Sequence, residues 1–387
     1  MKITALETFL TNSGLRNYLF VRLTTESGLT GIGEATLEWQ EKTVETLIHE
    51  WIEDRVLGTD PLDVEALTAA LIRDQYQGGS TIMTAISGIE IACLDLVGKA
   101  NALPVYKLLG GRRHEQIASY ANGWYGGART PGEYAHKATQ AVRLGYRVLK
   151  FDPFGTAWKT LTPREADDAE ALVAAVRSAA GDSTDIMIEV HGRLDVPTAV
   201  AMGRRLEPYR PRWYEEPVTP NSLDELLAVK RALRFPIAAG ERLYTLEDFA
   251  RLADLQAADV VQMDPAHCGG LSISRRIAVL AEARGMTVSP HCSIGPVALC
   301  AAVHLDWATP NFVVQENFAE FDVPWRKDYI FGAELIRGGQ VLLPEKPGLG
   351  IELDTEACAR HPYKKNTFPS LWDKLWLEEF TQKEKRP

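Results

Sequence analysis

The fold is decided by residues 185–217, DIMIEVHGRLDVPTAVAMGRRLEPYRPRWYEEP, read with IAAGE at 237–241. DIMIEV is a short apolar run of strand length. VPTAVAMGRRLEPY then carries helical spacing, and RWYEEP returns to an extended pattern. The same alternation runs outward in both directions. Upstream lie QIASYAN (116–122) and RVLKFD (147–152); downstream lie DVVQMD (259–264), TVSPHC (287–292) and FVVQEN (312–317). Helical stretches such as READDAEALVAAVRSA, LDELLAVKRAL, SISRRIAVLAEARG and GPVALCAAVHLDWA separate them. Eight strand-like runs alternating with helices over about 220 residues predict a TIM-type barrel rather than an open sheet. The last run has no helical stretch of its own.

The residues before the barrel have a different texture. ITALETFL (3–10) and NYLFVRLTTESGLTGIGEA (17–35) read as strands, the second as a hairpin turning at Glu26, Ser27 and Gly28. From about residue 41 the period becomes helical, most clearly in STIMTAISGIEIACLDLVGKANALPVYKLLG (80–110), which Pro104 interrupts. Strands followed by helices predict an α+β unit over 1–112, with Gly110-Gly111-Arg112-Arg113 at its boundary. The barrel then spans 113–335, and a segment of short strands and turns over 336–387 is expected to return to the first unit.

Composition narrows the function. The 387 residues carry 42 Lys plus Arg against 52 Asp plus Glu, a net charge of −10. That balance argues against nucleic-acid binding, which needs a cationic face. It leaves anionic small substrates open, because a bound metal reverses the local field. No run approaches the ~18 apolar residues of a membrane span, and MKITALETFLTNSGL lacks a signal-peptide core. Five scattered cysteines, Cys93, Cys268, Cys292, Cys300 and Cys358, suit a reducing cytoplasm and form no zinc motif. GLTGIGEA contains GxGE, but no helix follows at once, so it is not a dinucleotide fingerprint.

The unusual feature is the residue at each strand end: Lys150 and Asp152, Glu189 and His191, Glu215 and Glu216, Glu241, Asp264, His291, Glu316. Barrel enzymes take their catalytic groups from strand C-terminal ends. Glu189, Glu215 and Glu241 are 26 and 26 residues apart. One strand-helix unit of that length puts them at equivalent points on neighbouring strands, where their carboxylates converge. All-oxygen ligation of this kind favours Mg²⁺ over zinc. His191 and His291, on the third and seventh strands, face each other across the mouth. They suit proton removal on one side of a substrate and protonation on the other, with Asp264 orienting His291. Lys150 in VLKF is a point charge for an anion. His49, His114, His136, His304 and His361 read as structural, with His267 intermediate.

These residues resemble a known family. SGIEIACLDLVGKANALPVYKLLGG (87–111), GYRVLKFDPFG (145–155), IEVHGRLDVPTA (188–199), PIAAGERLYTLEDF (236–249), VVQMDPAHCGGLS (260–272), VSPHCSIGPVALCAAVHLD (288–306), VVQENF (313–318) and KPGLGIEL (346–353) are similar to the enolase superfamily. The similarity is to its mandelate racemase-like branch, and within it to the galactonate- and gluconate-type sugar-acid dehydratases. The resemblance implies a modified barrel, (β/α)₇β, under an N-terminal α+β capping domain, and Mg²⁺ on Glu189, Glu215 and Glu241. It implies a base dyad of His291 with Asp264, a carboxylate-binding acid at Glu316, and the dehydratases' additional histidine at His191. Racemases of the branch carry Lys-x-Lys on the second strand; here the second position is Asp152, which turns the expectation from racemase to dehydratase and leaves Asp152 to pair with Lys150 or Arg193.

The implied reaction is loss of water from an aldonate to give a 2-keto-3-deoxy acid. Lys150 and a protonated Glu316 would hold the substrate carboxylate, His291 would take the α-proton, and His191 would protonate the departing hydroxyl. Asn17, Trp39, Gln75, Tyr76, Asn122, Arg193 and Trp325 are candidate contacts to the polyol. The alternatives are a cycloisomerase of a sugar-acid lactone or anhydro-sugar acid, and a non-catalytic sugar-acid binder. A homo-oligomer is expected, with a small-molecule substrate and no nucleic-acid or membrane partner.

Overall fold

The computed structural model describes residues 1–365 apart from residues 15, 77 and 333. The N-terminal strands β1 (Ile3–Asn12), β2 (Asn17–Thr25) and β3 (Thr30–Glu34) form an antiparallel sheet in sequence order. β2 is buried along most of its length because helix α4 packs on one face of the sheet. The helices that follow are α1 (Glu41–Leu47), α2 (Glu53–Val56), α3 (Val64–Asp74), α4 (Ser80–Ala100) and α5 (Val105–Leu108). The GxGE stretch has a packing explanation. A Cβ on Gly33 would stand 2.0 Å from the Gly88 carbonyl oxygen, so paired glycines let β3 and α4 meet backbone to backbone. Among the described residues α4 is the one helix long and apolar enough to cross a membrane, a match the sequence reading passed over; 83% of its apolar window lies inside the fold.

The barrel follows. Its eight parallel strands are β4 (Ile117–Ala121), β5 (Val148–Phe151), β6 (Asp185–Glu189), β7 (Tyr214–Glu215), β8 (Ile237–Ala239), β9 (Val260–Val261), β10 (Thr287–Val288) and β11 (Gln315–Asn317). They pair in order from β4 to β10, β11 pairs with β4, and a Val288–Phe312 bridge closes the ring. Seven helices join them: α6 (Pro131–Arg143), α7 (Pro163–Ala180), α8 (Val196–Leu206), α9 (Leu223–Ala232), α10 (Leu246–Leu255), α11 (Leu271–Glu282) and α12 (Pro296–Ala308). In place of an eighth barrel helix, β11 is followed by a 3₁₀ turn, Pro324–Tyr329, and a short strand, β12 (Ile330–Gly332). The architecture is (β/α)₇β.

Several strands are shorter than their apolar runs suggested. RWYEEP keeps only Tyr214–Glu215 because Glu216 turns into the left-handed region at φ 38°. HGR leaves β6 in the same way, with φ 53° at His191 and 63° at Gly192. The strand ends where the backbone swings an acid or imidazole over the mouth.

Side chains alternate across a strand, so each barrel strand stacks its inward residues in layers. Tyr120, Val148, Met187, Trp213, Ala238, Val260 and Val314 fill the barrel's own apolar plug. Two residues further along, the same inward face presents Asn122, Lys150, Glu189, Glu215, Gln262 and Glu316, all buried. The apolar plug is thus the floor of a polar layer.

The two units are joined through helix N-termini. α6, α7, α8, α9 and α10 carry their own side-chain caps, Thr130, Thr162, Asp195, Ser222 and Thr245. α11 and α12 begin after Gly270 and Gly295, which offer none. Glu90 of α4 accepts from Leu271 N (2.8 Å), Ser272 N (2.9 Å) and Ser272 Oγ (2.6 Å) at the start of α11. Glu34 of β3 accepts from Gly295 N (2.7 Å) and Ala298 N (2.9 Å) at the start of α12. Carboxylates from the first unit complete the helices of the second.

The segment after 335 divides its contacts. The β13 (Ile336–Arg337) and β14 (Gln340–Val341) hairpin pairs with β4 of the barrel, not with the first unit as expected. Gly348 and Pro362 do reach the first unit, bridging Pro104 and Thr11. The aromatic, charged end of the chain beyond 365 lies outside the described residues. The five cysteines are free and buried.

Removing the Glu90 carboxylate strands the buried Leu271 amide and the part-buried amide and hydroxyl of Ser272. Each unpartnered buried group costs about 1–3 kcal/mol, so Glu90→Ala is expected to lower unfolding stability by roughly 3 kcal/mol. Chemical denaturation checks this, and a loss below about 1 kcal/mol would contradict it.

Candidate active site

Glu189 and Glu215 are the last residues of β6 and β7, paired in register, and Glu241 follows β8 by two residues. Each offers a carboxylate oxygen within 4.8 Å of the others. Lys150, from the middle of β5, stands in their midst. Its Nζ contacts Glu215 Oε1, Glu316 Oε1 at 2.8 Å and Glu189 Oε2 at 3.2 Å. The Glu215 carboxylate also accepts from Trp213 Nε1 at 2.8 Å, a partner the sequence reading missed. Glu189 Oε1 accepts from the Val190 and His191 backbone amides at 3.0 and 2.7 Å. Its Oε2 is buried with no hydrogen-bond donor, Lys150 being its nearest cation.

One ammonium does not balance this much acid. Burial, then the neighbouring Glu189, pushes Glu215 up to about 8. Burial also raises Glu189 and Glu241. Lys150 is held well above its ordinary value, because Glu215 and Glu316 outweigh the burial that would lower it. Crowded carboxylates with raised pKa values and an undonated buried oxygen fit a hard divalent cation, which removes their mutual repulsion. A second donor group, Asp264 with His267 and His291, is equally compact. Its donors are already engaged: His291 Nδ1 lies 2.7 Å and His267 Nδ1 3.2 Å from Asp264 Oδ2, and His267 Nε2 lies 2.8 Å from the Thr36 carbonyl. The glutamate trio is the better cation site.

His291 stands on the opposite side of the ring from His191, since β10 and β6 are four strands apart. With Nδ1 on Asp264, its Nε2 lies 3.4 Å from Glu241 and 3.7 Å from Glu316. Burial lowers its pKa, but Glu241, Glu316 and Asp264 outweigh that and hold it well above the ordinary value. Glu316 was expected as a protonated acid. Burial raises it, yet Lys150 and His291 outweigh that and hold it down to about 2. Asn122 Nδ2 and Cys292 N also donate to it, at 2.8 and 2.9 Å.

Asp152 pairs with His191 Nδ1 at 2.7 Å and with Arg193, and not with Lys150. Arg193 is 1% exposed, spending its other donors on the Val190 and Gly155 carbonyls, so it supports the site from behind rather than touching a polyol. Asn17 is likewise structural: its amide donates to the Lys364 carbonyl and accepts from Lys364 N. Trp325 donates to the Asn12 carbonyl and stacks on His361 at 5.0 Å. Tyr76 is fully exposed, Gln75 beside it is half-buried, and Trp39 is half-buried next to Glu38. Glu38 and Arg16 were not singled out from sequence, yet both reach Ser293, two residues beyond His291.

Comparison with known proteins matches residues 3–110 to the mandelate racemase/muconate lactonizing enzyme N-terminal domain and residues 133–357 to the enolase C-terminal domain-like family. The chain belongs to the enolase superfamily. A D-galactonate dehydratase of Xanthomonas euvesicatoria pv. vesicatoria is 36% identical to this superfamily member, covering 93% of the chain and 94% of the relative. A D-gluconate dehydratase of Thermoproteus tenax is 33% identical, covering 93% and 72%. A mandelate racemase/muconate lactonizing enzyme crystal structure from Jannaschia sp. CCS1 superposes with a TM-score of 0.87 at 30% identity, covering 95% of this chain and 99% of that one.

Because a proton on Glu215 competes with a cation, cation affinity in this superfamily member is expected to fall as pH drops below about 8, on the order of tenfold per unit at the limit of one competing proton. Calorimetric titration with Mg²⁺ at pH 6, 7 and 8 checks this; constant affinity across that range would contradict it.

Proposed function

We propose that the chain is a hydro-lyase that removes water from an aldonic acid, of the galactonate or gluconate kind, to give a 2-keto-3-deoxy acid. The observation that carries the reading is the pair of histidines on opposite sides of the carboxylate trio, one of them, His291, held on Asp264 at 2.7 Å. The two dehydratase relatives support it.

An α-proton next to a carboxylate is too weakly acidic to leave at neutral pH unless the resulting charge is stabilised. Mg²⁺ held by Glu189, Glu215 and Glu241 would supply a Lewis acid for the substrate carboxylate and neutralise the acids that raise His291 and Glu215. Lys150, fixed by its place on β5, adds a permanent cation at the same carboxylate. Asn122 keeps Glu316 in place beside Lys150. Asp264 accepts from His291 Nδ1, which leaves Nε2 as the basic nitrogen that takes the α-proton. His191, across the barrel, delivers a proton to the 3-hydroxyl as it departs. Both steps occur under the first unit, where Arg16 and Glu38 reach over the His291 side.

His291→Asn is expected to lower turnover by roughly 10²–10⁴-fold while leaving the circular dichroism spectrum and cation binding unchanged; a near-normal rate would overturn the base assignment. The substrate class is tested by incubating the protein and Mg²⁺ with hexonates, pentonates, aldarates and their lactones, read by mass spectrometry and semicarbazide trapping. Loss of one water, abolished by EDTA, supports the hydro-lyase. An isomer of unchanged mass would replace it with a cycloisomerase.

A further inference from the structure

Where a lysine base would stand on the second barrel strand, this chain has Asp152. The structure gives that carboxylate three hydrogen-bonding partners. Oδ1 accepts from the Phe154 amide at 2.9 Å, which fixes the turn after β5. Oδ2 accepts from Arg193 and stands 2.7 Å from His191 Nδ1, while Arg193 itself lies 3.5 Å from that nitrogen. Arg193 is clamped by two backbone carbonyls at 2.8 and 2.7 Å and cannot swing away.

An ionised carboxylate only accepts hydrogen bonds, so the His191 contact requires the ring proton on Nδ1. The other nitrogen, Nε2, is then the one available to a substrate. The His191 backbone is left-handed at φ 53°, an uncommon state for a residue with a side chain, and its amide donates to Glu189 at 2.7 Å. Backbone and ring are therefore fixed from two sides, by Glu189 and by Asp152. The arrangement repeats, on the opposite side of the barrel, what Asp264 does for His291.

We propose that Asp152, clamped by Arg193, is a positioning residue: by accepting from Nδ1–H it turns Nε2 of His191 toward the leaving hydroxyl, and His191 as the imidazolium delivers its Nε2 proton there, ending as the neutral ring with its remaining proton on Nδ1. The inference rests on the hydro-lyase reading for its kinetic consequence, but not for its structural one. Losing such a partner typically costs about 10–100-fold for an oriented imidazole ligand and up to ~10⁴ for a catalytic one.

The test uses Asp152→Asn, which keeps the shape and the Phe154 acceptor, in the full-length protein with Mg²⁺. With D-galactonate and D-gluconate as probes, kcat for water loss is expected to fall by about 10- to 10³-fold with KM changed less than threefold. Incorporation of deuterium at C2 of unreacted substrate in D₂O, which needs only the opposite histidine, is expected to persist or rise. Elimination of fluoride from the 3-deoxy-3-fluoro analogues, whose leaving group needs less proton assistance, is expected to fall far less than water loss. Turnover within threefold of the parent, or water loss, fluoride loss and C2 exchange falling in parallel, would overturn the proposal. If the parent transforms neither sugar acid, the kinetic arm moves to whichever acid the sugar-acid library identifies, and if it identifies none the hydro-lyase reading fails and the proposal is judged by ¹⁵N spectra of histidine-labelled protein alone. There His191 is expected to carry its proton on Nδ1 in the parent and to lose that preference in Asp152→Asn. A His191 protonated only on Nε2 in the parent would overturn the proposal, whatever the folding of the variant.

Discussion

The Lys150 ammonium, buried among Glu189, Glu215 and Glu316, is the interaction on which the site depends. It is 2% exposed, in a layer where the barrel could have been apolar. Taking an ammonium and several carboxylates out of water costs several kcal/mol per ion unless they are mutually satisfied. The chain accepts that cost in one place only because strand periodicity brings β5, β6, β7 and β11 together at one level, above a plug of Tyr120, Met187, Trp213 and Val314. The plug holds the strands in register; register holds the acids within reach of one cation. The excess negative charge left over is what suits the site to the proposed divalent cation.

Around that centre the two histidines are each paired with an aspartate. Each of the two facing histidines has Nδ1 on an aspartate at 2.7 Å. Each aspartate is steadied by further partners, Arg193 and the Phe154 amide on one side, His267 and the Ala266 amide on the other. The first unit closes the assembly through Glu34 and Glu90, which supply helix caps that the barrel's own sequence omits. Covering the site and completing the barrel are one act of docking.

Much of this was legible in the sequence, and for a physical reason. Barrel strands repeat at near-constant spacing and alternate their faces, which brings Glu189 and Glu215 together in register; Glu241 lies three residues beyond Ala238, the register partner of Glu215, and joins them from the turn after β8 rather than from an equivalent strand position. The opposition of His191 and His291 followed from counting strands. Less legible were contacts that join residues far apart in the chain. Asn17 and Trp325 looked like polar handles for a substrate, but their partners lie 347 and 313 residues away, at Lys364 and Asn12. Glu34 sat in what read as a weak glycine-rich motif, with nothing local to reveal that it caps a helix beginning at Pro296. Asp152 showed itself in sequence only as a departure from a lysine. Its partner, His191, depends on a left-handed turn that residue spacing does not encode.

The glutamate trio, and not the neighbouring Asp264–His267–His291 group, is the proposed cation site. Anomalous diffraction from crystals soaked in Mn²⁺ tests this most directly. One peak coordinated by Glu189, Glu215 and Glu241 is expected, with both aspartate–histidine pairs intact. A peak on His267 and His291, or none within reach of the three glutamates, would contradict it.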